Sequence, residues 1–145
     1  MAAERTATTV WDGDLANGSG TVTMGSGVTE ELPVSWASRT GRSDGKTSPE
    51  ELIAAAHSSC FSMALAHALA EAGTPPERLD VVATCMFDEV EGGFAITSVD
   101  IEVRGRVPGI DAAAFEQAAA GAGEGCPVSK ALRGNVDIRV GATLE

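Results

Sequence analysis

Basic residues are scarce in this sequence. Ten lysine and arginine side chains stand against 21 aspartate and glutamate side chains, which gives a net charge of −11 at pH 7. A charge of this sign and size repels the phosphates of nucleic acids and the headgroups of anionic lipids. We therefore expect neither nucleic acid nor a membrane surface as a partner.

Cysteine is scarce as well, and there is no secretion signal near residue 1. The three cysteines are Cys60, Cys85 and Cys126, an odd number that does not suit a structural disulfide framework. Residues 1–6 are followed by polar and β-branched residues and not by the apolar segment of a signal peptide. These features predict a cytoplasmic protein whose thiols stay reduced.

The length and composition predict a single domain, residues 1–145. Hydrophobic residues make up 43% of the chain, enough for one packed core, and no repeat or linker interrupts it. The longest apolar stretch, Leu52–Ala70, approaches the length of a membrane span. It is dominated by alanine and contains His57, His67 and serines, so we interpret it as a buried helix of a soluble protein.

The order of the predicted elements indicates an α+β fold. The first third is rich in Thr, Val and Gly between turn signals, which predicts a β-meander. A long helix follows, with Ser48 as N-cap, Glu51 completing a capping box and an end near Gly73. Because this helix is apolar all round, we expect it to be central and to be covered in a homodimer.

The second half predicts a hairpin, two helices and a strand. The hairpin strands are 79–88 and 94–107, on either side of a glycine turn. A helix is predicted from Asp111 to about Ala120, broken by three following glycines, and Cys126 then opens a short helix with Pro127 in its first turn. A final strand is predicted over 136–144.

Cys60 and Cys126 are the candidate reactive groups. Cys60 lies within the apolar helix, where burial raises a thiol pKa and makes the thiol inert. A guanidinium 4 Å away is worth about 4 kcal/mol at an effective dielectric of 20, or roughly three pKa units, which would overcome that burial. Arg39 and Arg42 precede the helix and are candidates, with a solvated loop charge as the alternative for each.

Cys126 differs from Cys60 because it stands at a predicted helix N-terminus, where the helix dipole favours a thiolate. From the residues alone, Cys126 is the candidate nucleophile. Glu50 is either a first-turn carboxylate that complements the helix dipole or part of the site. It is ten residues from Cys60, about 15 Å along a helix, so it cannot reach that sulfur within one helix.

Two sequence segments, 48–65 and 125–132, resemble the OsmC/Ohr family of bacterial thiol peroxidases, with the closer likeness to the OsmC branch. The resemblance implies an OsmC-like fold: β-meander and hairpin sheets packed around the long central helix in an intertwined homodimer. It implies that Cys60 attacks the peroxide and Cys126 resolves the sulfenic acid. It favours Arg39, placed at a strand end and oriented by Glu50, with Arg42 as the alternative because the loop departs from the family pattern at Thr40.

The implied reaction is reduction of organic hydroperoxides, and more weakly of hydrogen peroxide, through a Cys60–Cys126 disulfide. A dithiol, in the family a lipoylated protein, would reopen the disulfide, and neither a bound cofactor nor a metal is required. Apolar side chains around Phe61 and Met63 would favour organic substrates. Since Glu50 cannot reach Cys60, we expect the second subunit to supply part of the site unless the helix breaks or the arginine bridges the gap.

Other functions remain open from the residues themselves. The same thiols could serve a redox sensor without turnover, or His57 or His67 could join them in a metal-binding module. A dimer cavity could also carry small apolar ligands. Cys85, on a predicted strand face, is expected to be a buried inert thiol.

Overall fold

The computed structural model describes all 145 residues and confirms the α+β class. The strands are β1 (Ala7–Asp12), β2 (Ser19–Met24), β3 (Leu32–Val34), β4 (Arg78–Val90), β5 (Gly93–Arg106) and β6 (Asp137–Leu144). The helices are α1 (Trp36–Thr40), α2 (Pro49–Glu71), α3 (Ala112–Gly125) and α4 (Pro127–Leu132). The chain divides into two compact units, Met1–Leu52 and Ile53–Glu145.

The first unit contains the predicted meander and one helix that the sequence did not predict. Strands β1, β2 and β3 pair antiparallel in that order. Arg39 was expected at the end of a strand, and this was wrong, because it lies in the short helix α1. The Ser35 side chain accepts from the Ser38 backbone N–H while the Ser38 side chain accepts from the Ser35 backbone N–H, a reciprocal cap that starts this helix.

The start of α2 is capped by Ser48, but only half of the predicted capping box forms. Ser48 Oγ accepts a hydrogen bond from the Glu51 backbone N–H at 3.2 Å. The Glu51 carboxylate does not return to the cap and instead accepts from Thr47 Oγ1 at 2.9 Å. The N-cap prediction is therefore confirmed, whereas the reciprocal bond is replaced by a contact with the preceding threonine.

The end of α2 agrees with the prediction. The Thr74 N–H bonds to the Leu69 carbonyl, and the Gly73 N–H bonds to the Ala70 carbonyl. This pair of bonds is a Schellman motif, which needs a left-handed residue at its turn, and Gly73 has φ +83°. Glycine adopts that conformation without the steric penalty of a Cβ atom.

The second unit is built on a three-stranded sheet in the order β4-β5-β6. Strands β4 and β5 form the predicted hairpin across Glu91 and Gly92, and β6 runs parallel to β5. One core packs against this sheet, with buried side chains from α2, β5 and α3: Phe61, Leu65, Leu69, Val99, Ile101, Val103, Phe115, Ala119 and Ala122.

The third helix is longer than predicted, because α3 continues through Gly121 and Gly123 to Gly125. Ala119 and Ala122 are buried in the core, so packing holds the helical turn that the glycines alone would weaken. At Gly123 a Cβ atom would lie 2.8 Å from Val140 Cγ2 of β6. This glycine therefore permits close approach of helix and sheet and does not end the helix.

Only part of α2 is buried within one chain. Phe61, Leu65 and Leu69 are buried, whereas Met63 is 70% exposed. By length and composition α2 could cross a membrane, and 22% of its most apolar 18-residue window is buried. The predicted burial thus holds for one face of the helix, and the rest of its apolar surface is uncovered in the single chain.

Candidate active site

A bidentate ion pair joins Arg39 to Glu50 in the first unit. Arg39 Nη2 and Nε donate to Glu50 Oε1 at 2.8 and 3.0 Å, and Nε also donates to Oε2 at 3.3 Å. The Glu50 side chain is 8% exposed and that of Arg39 is 29% exposed. These three hydrogen bonds from two nitrogens fix the orientation of the guanidinium, and its charge neutralises a buried carboxylate.

Arg42, the alternative arginine, is in a different environment. Its side chain is almost fully exposed, and its ion-pair contact with Asp44 is loose, at 3.8 Å between Nε and Oδ1. Such an exposed ion pair contributes little to the stability of the fold and does not fix the position of the arginine side chain. The structure therefore brings Arg39, and not Arg42, to Glu50.

The second unit brings Cys60 and Cys126 together. Cys60 lies in the middle of α2, and Cys126 lies between α3 and α4, where it precedes Pro127 at the first position of α4 as predicted. Cys126 is fully buried, whereas Cys60 is partly exposed. Their sulfurs interact directly, and none of the three cysteines forms a disulfide in this structure.

The surroundings of the two thiols shift their pKa values in opposite directions. Burial raises the pKa of Cys60, and its interaction with Cys126 raises that pKa further, against the opposing effect of the Val128 backbone N–H. Burial opposes ionisation of Cys126 too, but the Ser129 backbone N–H, the Cys60 thiol and the Ser129 hydroxyl together lower the pKa of Cys126. Within this coupled pair, negative charge is therefore favoured on Cys126 over Cys60, with the Cys60 thiol as the donor.

His57 and Ser129 extend this thiol cluster. Both are fully buried, and His57 Nε2 lies 2.7 Å from Ser129 Oγ. Burial lowers the pKa of His57, which keeps the ring neutral at pH 7. The expectation of a hydrogen-bonded core histidine is confirmed for His57, whereas His67 is exposed.

Ser129 was missed from the sequence, although a signal for it was present. It stands three residues after the helix N-cap Cys126, the position from which a side chain reaches back to the cap. In this protein the capping residue carries a sulfur, so the third residue of the helix places its hydroxyl at that sulfur.

Three other predictions concern residues around the thiols. The apolar face around Phe61 and Met63 is expected to favour organic substrates; Phe61 is fully buried in the core, so Met63 is the accessible one of the two in the single chain. Cys85 is half-buried on the face of β4 that packs against the core. No group of three His, Cys, Asp or Glu side chains is arranged to hold a metal ion.

The candidate residues thus form two clusters, an arginine–glutamate pair in the first unit and a thiol pair with His57 and Ser129 in the second. Residues 41–141 match the family model described as OsmC-like protein. The chain belongs to this family. Membership agrees with the resemblance found in the two cysteine segments.

The OsmC-like chain is similar to named relatives from bacteria. It is 44% identical over 128 residues to "Peroxiredoxin OsmC" of Escherichia coli K12, covering 88% of this chain and 89% of the relative. Among solved structures, it matches an organic hydroperoxide resistance protein of Vibrio cholerae with a TM-score of 0.78 and 29% identity, over 98% and 92% of the two chains.

A second solved structure gives the same fold. The organic hydroperoxide resistance protein OhrB of Bacillus subtilis superposes with a TM-score of 0.76 at 28% identity and covers 95% of this chain and 98% of its own. The OsmC-like fold predicted for the single chain is therefore confirmed, and the intertwined homodimer stays a prediction.

Proposed function

We propose that this chain, a peroxiredoxin-like hydroperoxide reductase of the OsmC-like family, reduces organic hydroperoxides with Cys60 as the attacking thiol and Cys126 as the resolving thiol. The observation that carries the proposal is the direct contact between two thiols of unequal exposure. Cys60 is partly exposed and can meet a peroxide, whereas Cys126 is fully buried and can meet only Cys60.

Activation of Cys60 requires that its proton leave. We assign the Cys60 thiol as the donor and Cys126 as the acceptor in the reduced pair, because the pKa of Cys60 is raised and that of Cys126 is lowered. Transfer of the Cys60 proton to an ionised Cys126 gives a Cys60 thiolate and a Cys126 thiol. A cation near Cys60 favours that transfer, because it stabilises the negative charge that burial opposes. Arg39, held in a fixed orientation by Glu50, is the cation we assign to this task.

The peroxide step then follows. The Cys60 thiolate attacks the O–O bond, the bond breaks, and Cys60 sulfenic acid and an alkoxide form. The alkoxide takes up the proton held by Cys126 to give the alcohol, which returns Cys126 to the thiolate. The Arg39 guanidinium would stabilise the departing oxyanion. The Cys126 thiolate next attacks the sulfenic sulfur and expels hydroxide, which becomes water, and a Cys60–Cys126 disulfide remains.

A dithiol completes the cycle by thiol–disulfide exchange and returns both cysteines to the reduced state. The family analogy makes a lipoylated protein our proposal for this reductant. The names of the relatives, organic hydroperoxide resistance proteins among them, support organic peroxides as substrates. We propose that the protein works in the cytoplasm, because thiols stay reduced in that compartment.

A second copy of the chain is part of the proposal. The exposed apolar surface of α2, with Met63 70% exposed, is costly to leave in water and would be covered in a homodimer. Such a dimer can supply Arg39 and Glu50 of one subunit to Cys60 of the other. Mixed dimers of Arg39→Ala and Cys60→Ser chains test this: a shared site regains part of the activity that both parents lack, and absence of any recovery contradicts sharing.

The test of the function is single-turnover oxidation followed by intact mass. With one equivalent of tert-butyl hydroperoxide, Cys60→Ser should gain no oxygen, because the attacking thiol is gone. Cys126→Ser should gain one oxygen at Cys60 and then stall, and Cys85→Ser should behave as wild type. Oxidation of Cys126 in the Cys60→Ser protein at the wild-type rate would contradict the assignment of roles.

A further inference from the structure

The buried contact between His57 and Ser129 has no part in the cycle described above. Both side chains are fully buried, and His57 Nδ1 has no hydrogen-bond partner. A buried polar group that is left unpaired costs free energy, so burying His57 with an unpaired Nδ1 is unfavourable. We therefore ask what the hydrogen bond of its other nitrogen, Nε2, contributes. Its partner Ser129 interacts in turn with the Cys126 sulfur.

The direction of these hydrogen bonds follows from counting protons. A neutral imidazole carries one N–H, and a serine hydroxyl carries one proton. If Ser129 donated to His57 Nε2, it would have no proton left for Cys126, and an Nδ1–H would be buried without an acceptor. If Nε2–H donates to Ser129 Oγ, the hydroxyl proton is free to donate to the Cys126 thiolate. The second arrangement makes two hydrogen bonds and the first makes one.

We propose that His57 is a positioning residue for the resolving cysteine: its Nε2–H holds Ser129 Oγ so that the hydroxyl donates to the Cys126 thiolate. The inference rests on the proposed function, and it assigns a role to two residues outside the Cys, Arg and Glu set. His57 touches neither the peroxide nor a reacting sulfur and acts through Ser129.

The hydrogen bond from Ser129 matters in both halves of the disulfide cycle. When Cys126 attacks the sulfenic acid, the bond keeps the sulfur ionised and oriented. When the reductant thiolate attacks Cys60, an S–S bond forms to Cys60, the Cys60–Cys126 bond breaks, and Cys126 leaves as a thiolate. Donation to that leaving thiolate is then restored, which lowers the barrier to reduction.

The first test measures the Cys126 thiolate in resting protein, with no peroxide present. In a Cys60→Ser/Cys85→Ser background only Cys126 absorbs as a thiolate near 240 nm, and the other titratable group of the cluster is His57. We expect Ser129→Ala to raise the midpoint of this titration by about one to two pH units, the effect of losing a hydrogen bond to a charged group. An unchanged midpoint overturns the proposal.

His57 is tested by a matched pair of substitutions in the same background. His57→Leu removes the donor and should shift the midpoint as Ser129→Ala does, whereas His57→Gln offers an amide N–H at a similar place and should restore at least half of the shift. Equal midpoints for Leu and Gln would contradict positioning through the donor. Ser58→Ala and His67→Leu, at half-exposed and exposed sites of α2, are the controls and should leave the midpoint unchanged.

The second test separates this inference from the proposed function. In chains with all three cysteines, sulfenic acid formation and disulfide formation are followed separately by quenched-flow mass analysis. Ser129→Ala should slow disulfide formation about three- to tenfold. The raised pKa lowers the ionised fraction of Cys126, and the greater nucleophilicity of the remaining thiolate offsets this loss only in part. Failure of Cys60 to form sulfenic acid would instead refute the peroxidase, and the resting titration would still decide the role of Ser129.

Discussion

The two units of this chain stabilise charge in different ways. In the first unit a buried carboxylate, Glu50, is neutralised by a full positive charge on Arg39 through a bidentate contact. In the second unit neutral donors, chiefly Ser129 and the Cys60 thiol, lower the pKa of Cys126, with no arginine or lysine among them. The comparison teaches that the arginine and the two thiols that we propose for peroxide reduction belong to different units of the chain.

This division explains why Cys60 is a poor nucleophile within its own unit. Burial and the neighbouring Cys126 both raise its pKa. Hydrogen-bond donors favour the other sulfur, so the charge must be moved to Cys60 by something outside the thiol cluster. In our account that is the arginine, which makes removal of the cation the most damaging change short of removing a cysteine.

Arg39→Ala should give the largest effect. Loss of a cation worth about 4 kcal/mol at an effective dielectric of 20 should slow Cys60 oxidation at pH 7 on the order of 10- to 100-fold. Raising the pH should recover most of the oxidation rate, because Cys60 then ionises without the stabilising charge of Arg39. Stopped-flow oxidation between pH 6 and 10 measures this, and Arg42→Ala is the matched control.

The same variant leaves Glu50 buried without a partner, which destabilises the fold by about 3 kcal/mol. The double variant Arg39→Ala/Glu50→Gln separates the two consequences. It should regain stability in thermal unfolding and remain as slow as Arg39→Ala alone. A rate that recovers together with stability would mean that the arginine only supports the fold.

A pair of glycines tests how closely the second unit is packed. Gly123→Ala should destabilise the protein by about 1–3 kcal/mol, because the new Cβ would lie 2.8 Å from Cγ2 of the stiff Val140 side chain. Gly121→Ala, in the same helix with open space around its Cα, should stabilise by about 0.5–1 kcal/mol. Denaturant unfolding of both variants checks the opposite signs.

The smallest expected effect is the pH dependence contributed by His57. Burial lowers the pKa of this side chain in the folded state, while the unfolded chain titrates near 6.5. As the pH falls below 6.5 the unfolded state binds the proton first, so the folded state loses relative stability. Wild type should therefore lose more stability than His57→Gln between pH 7.5 and 5.5; parallel curves would contradict this.

Most elements could be predicted from the sequence because they follow local rules. The capped start of α2, its end at Gly73, the hairpin over Glu91 and Gly92 and the opening of α4 by Cys126 and Pro127 are set by residues close in the chain. The continuation of α3 through its glycines was not predictable, because contacts with β6, distant in sequence, hold it.

The candidate site also contains residues that motifs predict and contacts that depend on residues distant in the chain. Cys60, Cys126, Arg39 and Glu50 were identified from motifs, and the structure brings the first two together and the last two together. The bond between His57 and Ser129 joins residues 72 positions apart, so no local pattern predicts it. The lowered pKa of Cys126 agrees with its predicted place at a helix N-terminus, whereas the hydrogen bond from Cys60 that helps to lower it depends on packing between residues distant in the chain.

The most direct test of the account is peptide mapping after oxidation by one equivalent of organic hydroperoxide. We predict a single disulfide between Cys60 and Cys126 of the same chain, formed at the expense of the Cys60 sulfenic acid, with Cys85 still reduced. A bridge that contains Cys85, or one that links Cys60 to a cysteine of a second chain, would contradict the proposed mechanism.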